Sequence, residues 1–299
     1  MSEPAQPDHF PGALSAFVIT VAAIFLAAFV ITLFGLQPDI GALGVGEAIG
    51  LGLVGTLAAR RVPPPQPERL GLRGFDPHLL GYLVLLLPIV ILVSELDNVI
   101  RALVPLPLPP DTTEASEALE AAGAFPGSLS LYDKVQTAIV VVGIAPVVEE
   151  WLFRGVIQQG VVAQLGRFQG VLLAAALFAV VHTAPSLGGQ TLLSPLLGSL
   201  VLGLVFGALR LASGSILAPI LLSAGINAVG LIALAFDQEL PIAGFNAPGS
   251  HTGFAVLAVS VTAVAFGLAP VLRGAREAPV VIPIPEPQEE REGGGGFDY

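Results

Sequence analysis

The chain contains no cysteine, a single lysine (Lys134) and one tryptophan, and each shortage closes off chemistry. Without cysteine there are no disulfides, thiolate zinc sites, iron–sulfur clusters or cysteine nucleophiles. Basic residues number 12 against 23 acids, a formal net charge of −11, so the clustered positive charge that a nucleic-acid partner demands is lacking. Charged residues make up only 12% of the chain, against about 25% in a soluble domain. The serine–histidine–aspartate signatures of soluble hydrolases, HExxH and phosphate loops are missing too.

What remains is apolar. Hydrophobic residues reach 54% and the mean hydropathy is +0.83, in long runs along most of the chain. This composition predicts an all-α, polytopic transmembrane helical bundle of a multi-pass protein of the cell membrane, with the lipid bilayer as its first partner. Eight spans are expected: 13–36, 40–59, 79 to about 95–98, one starting near 134, 168–182, 192–211, 215–236 and 254–272. The second is glycine-rich, and its small faces should let neighbouring backbones approach closely.

Residues 1–12 form a polar N-terminal tail, 13–272 the transmembrane domain, and 273–299 an acidic, proline- and glycine-rich tail expected to be disordered. A long acidic connection (105–133) is expected to hold a short helix over 113–122. With eight spans and both termini in the cytoplasm, only Arg101 and Lys134 of the 12 basic residues fall outside, as the positive-inside rule favours.

Against this background the run VVVGIAPVVEEWLFRG at 140–155 stands out, because ionised side chains are costly at bilayer depth. Glu150 and Arg154 lie one turn apart, so the arginine can neutralise that carboxylate. Glu149 is rotated by ~100° and can face a different neighbour. Phe178 and His182 share a face of the fifth span, and Ser223 and Asn227 share one of the seventh. At ~1.5 Å per residue, Glu149, His182 and Asn227 fall within one helical turn of mid-bilayer. An acid, an imidazole and an amide in one chamber support hydrolysis: the carboxylate moves a proton, the ring orients water or binds metal, and the amide receives an oxyanion.

At these residues the chain resembles the CAAX-protease and bacteriocin-processing (CPBP) intramembrane endopeptidases, relatives of the Ras-converting CAAX endopeptidase. EEWLFR (149–154) matches their EExxxR motif and FAVVH (178–182) their FxxxH motif. RLGLRGFDP before the third span and SILAPILLSAGIN (215–227) are also similar, and the resemblance covers about 68–232. It implies an intramembrane protease acting on a membrane-associated peptide or protein. In it Glu149 activates water, His182 places that water or a zinc ion, Glu150 and Arg154 support the site, and Asn227 stabilises the oxyanion.

The family's third motif usually reads HxxxN, and here Ser223 stands at the histidine position. One imidazole is then left in the core. A zinc site on His182 and Glu149 would need a further ligand from Glu150, from water or from elsewhere.

The competing readings are a catalytically silent relative that scaffolds a membrane partner, and a proton-coupled transporter using Glu149 as a relay. A structural Glu150–Arg154 bridge, a histidine bonded to a backbone carbonyl, and an asparagine gluing helices are the plain alternatives for the single residues. Glu47, alone among glycines, has no motif around it; His251 and His78 read as loop residues.

Overall fold

The computed structural model describes residues 9–33, 40–104, 131–183, 192–236, 239–247 and 251–280. Most of the N-terminal tail, the expected helix at 113–122 and the acidic end 281–299 lie outside these residues. Among the described residues there is no β-strand; the one bridge, Ala243 with Ala247, is isolated.

In chain order the helices are α1 (Ala13–Leu33), α2 (40–59), the short α3 (Gln66–Leu70), α4 (Leu79–Leu103), α5 (131–165), α6 (Arg167–Thr183), α7 (Leu193–Ser213), α8 (Leu217–Ala235) and α9 (Phe254–Glu277). A helix thus occupies each of the eight expected apolar runs. Five of them, α1, α4, α7, α8 and α9, are long and apolar enough to cross a membrane as single helices. Large apolar side chains such as Leu14, Phe25, Phe29 and Phe254 face outward, a surface suited to lipid chains rather than water.

Helix α9 runs on through Glu277, past the border expected at 272, because Arg273 and Arg276 are good helix formers, with Arg276 in its last turn. Helix α4 loosens at Leu87–Pro88, where proline has no N–H to give, and resumes at Ile89. Two helices widen into π turns: α2 over Ala48–Leu53, and α5 twice, over Ile139–Ile144 and Trp151–Ile157. The single α-helical turn Ala145–Glu150 between the last two carries both glutamates. Such bulges occur frequently at functional sites.

The core is closed by small residues. Gly50 meets the backbone of α1 at Ala23 and Ala27, as expected of a glycine-rich second span. On α7, Gly203 lies against Ala175 and Gly207 against Val171, so α7 packs closely on α6 within this one chain.

The motif RLGLR acts as a lock between α3 and the end of α7. Gly71 caps α3 in the left-handed region (φ 74°), and an added Cβ there would come within 2.6 Å of the Arg210 guanidinium. Arg210 donates to the Arg69 carbonyl (2.9 Å), Ile216 N–H to the Gly71 carbonyl (3.1 Å), and Arg73 to the carbonyl of Gly214 (2.9 Å), the left-handed cap of α7. We expect Gly71→Ala to lower stability by ~1–3 kcal/mol for the backbone conformation alone. Thermal unfolding in detergent measures this, and an unchanged midpoint would show that the lock carries no weight.

Candidate active site

Arg154 is the largest fully buried side chain, at 1% exposure, and a guanidinium there needs compensation from several directions. Glu150, 0% exposed, pairs with it across one turn (Nη1 to Oε1, 3.1 Å). The two groups touch without reaching good hydrogen-bond geometry, so the contact is mainly Coulombic. Arg154 also donates to the Gly203 carbonyl (3.2 Å), which is accessible because no side chain covers it. Its guanidinium carbon lies 4.3 Å from the Phe178 ring centre and 5.3 Å from that of Phe206, giving it aromatic faces on α6 and α7.

Phe178 therefore links the two motifs. Its ring meets Phe153 edge-on (5.4 Å, 89°) and lies 4.1 Å from the ring of His182, one turn on. The Phe178 carbonyl faces His182 Nδ1 at 3.0 Å, which favours a proton on that nitrogen. The other nitrogen, Nε2, points at Glu149 Oε1 from 3.4 Å. With Nδ1–H bonded to the backbone, one proton, or one water, must mediate between carboxylate and ring. Glu149 is buried while His182 keeps some exposure, so the pair sits at the edge of the protein interior.

The structure thus brings together Glu149 with His182 and Glu150 with Arg154. Asn227 is placed differently. It donates through Nδ2 to the Val141 carbonyl (2.8 Å), in the first π turn of α5, and no hydrogen bond joins it to Glu149 or His182 among the described residues. One N–H of that amide remains uncommitted. Ser223 is buried one turn earlier on α8.

Two contributors, Gln158 and Phe206, were not singled out by the sequence, and a third, Glu47, was noted only as a carboxylate without a motif around it. Gln158, the next residue at a spacing of four after Arg154, is buried and donates to the Gly207 carbonyl (2.8 Å). The repeat Glu150, Arg154, Gln158 was visible as a polar stripe. Glu47, on α2 next to the π turn, lies close enough to interact electrostatically with both Glu149 and His182. Only a lone carboxylate among glycines hinted at it. Phe206 gives Arg154 a ring face that no motif announced. His251 lies elsewhere, bonded to Glu95 on α4 (2.7 Å), and His78 is exposed.

Among the described residues no group of three His, Cys, Asp or Glu side chains is disposed to hold a metal ion. The described residues therefore do not fit a three-ligand zinc site.

A prediction follows from the buried pair. Glu150→Gln leaves Arg154 charged and unpaired, which should cost ~3–5 kcal/mol, while Glu150→Gln with Arg154→Met should recover a large part of that loss. Unfolding of the purified protein compares the two. A single variant as stable as the parent would show that the ion pair is dispensable.

Residues 132–229 match the model of a family described as Type II CAAX prenyl endopeptidase Rce1-like. The match supports the CPBP and CAAX protease family. It spans a third of the chain and contains Glu149, Glu150, Arg154, His182 and Asn227, while 68–131 lie outside it. No curated protein and no solved structure matches the chain.

Proposed function

We propose that the protein is an intramembrane endopeptidase of the cell membrane, hydrolysing a peptide bond of a membrane-associated substrate. The contact between Glu149 Oε1 and His182 Nε2 carries this reading: an acid and an imidazole 3.4 Å apart, the ring held from behind by a backbone carbonyl. The matched family, named for prenyl endopeptidases, suggests a lipidated peptide as the first substrate to try.

In this mechanism a water lies between Glu149, His182 and the scissile carbonyl. The Glu149 carboxylate takes one proton from the water as its oxygen bonds to the carbonyl carbon. The free N–H of Asn227 donates to the oxyanion that develops. The tetrahedral intermediate then collapses, the C–N bond breaks, and Glu149 returns its proton to the leaving amine. Glu150 and Arg154 take no proton; they hold Phe178 and hence the imidazole in place. Glu47, on α2, lies within electrostatic reach of both Glu149 and His182.

An apolar groove lies between α2 and the first turns of α5, lined by Gly44, Val45, Ala48, Tyr132 and Ile139. It suits an apolar chain segment or a lipid tail.

The competing reading, a silent relative that scaffolds a partner, draws on Ser223 in place of histidine. Substitution distinguishes them. In proteoliposomes with a prenylated peptide ending in a CAAX sequence, and with an unmodified apolar transmembrane peptide, the parent should release product. Glu149→Gln should lower kcat by ~10²–10⁴-fold, and Asn227→Ala by ~10²–10³-fold. Cleavage that survives in both Glu149→Gln and His182→Ala defeats the protease assignment.

A further inference from the structure

A second polar site lies at the end of the bundle where α5, α7 and α9 finish. We propose that it binds a phosphate group, supplied either by inorganic phosphate or by a lipid headgroup. Arg69, Arg154, Arg210, Gln158 and Gln159 line a cavity of about 60 Å³ there, with Val280 at its rim. At ~10–15 Å³ per water the space takes roughly four to six waters, which suits one tetrahedral anion and excludes a nucleotide.

Arg210 decides the matter. Its side chain is 7% exposed, and its Nη2 donates to the Arg69 carbonyl, but its Nε has no partner. Among the described residues no carboxylate pairs with it, and the neighbouring charge that acts on it is a like one, Arg73. Arg154 has Glu150 across one turn; Arg210 has nothing of the kind. A buried guanidinium without a counter-charge is costly, and an anion seated beside it removes that cost. The planar fork of N–H groups matches the oxygens of a phosphate, and the amides of Gln158 and Gln159 add donors.

The placement favours phosphate over an unrelated acid. The cavity lies toward the ends of α7 and α9, helices long and apolar enough to cross a membrane, and the basic side chains Arg69, Arg154 and Arg210 gather in its lining; lipid phosphates collect where such helices end. The rival occupant is internal: the sequence after Val280 carries Glu286, Glu289, Glu290 and Glu292.

The experiment reads stability, so it stands or falls apart from proteolysis. The full chain in neutral detergent is unfolded by heat in phosphate and in chloride at equal ionic strength. A second arm uses nanodiscs of phosphatidylcholine with and without phosphatidic acid. Phosphate or phosphatidic acid should raise Tm by roughly 3 °C or more, and Arg210→Gln should abolish the rise. A response to free phosphate points to the soluble ion as source, and one confined to phosphatidic acid points to the headgroup.

If the parent shows no rise in either arm, the proposal is overturned, whatever the folding of Arg210→Gln. A rise that persists in Arg210→Gln overturns it as well. The fourfold exchange Glu286→Gln, Glu289→Gln, Glu290→Gln and Glu292→Gln, made in the full chain, tests the tail. A rise that appears only in this variant, and not in the parent, would assign the cavity to the tail and reject an external phosphate.

Discussion

A guanidinium shut away from water sets the terms for the centre of this protein. Arg154 cannot be buried alone, and the groups that make its burial tolerable come from three helices: Glu150 on its own, the Gly203 carbonyl and Phe206 on α7, and Phe178 on α6. Once those contacts are fixed, so is the spacing of the helices that carry them. Phe178 then passes the constraint on, because its ring and its carbonyl both face His182. The two sequence motifs are in this sense one object. The arginine of the first holds the phenylalanine of the second, and the phenylalanine holds the histidine opposite Glu149.

This explains why Glu149 and Glu150, adjacent in sequence, take different roles. Glu150 is spent on the cation and is sealed from solvent. Glu149, rotated to the neighbouring face, meets an imidazole that keeps partial contact with the outside. One carboxylate organises the core, and in the proposed mechanism the other carries the proton. The imidazole itself is held by a backbone carbonyl and an aromatic ring.

Much of this could be read from the chain itself. The helices follow the apolar runs, the i to i+4 spacing of Glu150 and Arg154 places them in contact, and a depth count at 1.5 Å per residue put Glu149 and His182 in one layer. The glycines of α2 and α7 were legible as packing faces. What escaped depends on tertiary encounters that no local pattern encodes. Glu47 reaches the cluster only because α2 lies against α5, and Phe206 matters only because α7 crosses behind Phe178. The bond from the Asn227 amide to the Val141 carbonyl is likewise a contact that no local pattern announces. The cradle that Gly71 makes for Arg210 joins segments far apart in sequence.

The widened turn at Ile139–Ile144 has a mechanical meaning. A π turn spreads the helical ladder and accommodates a residue that a regular helix would not, and it is here that Asn227 reaches across from α8. The irregularity acts as a socket, and the asparagine is its plug. Asn227 thus adds a directional bond to a seam in which α8 already packs along α5, over both the widened turn and the turn that carries the glutamates.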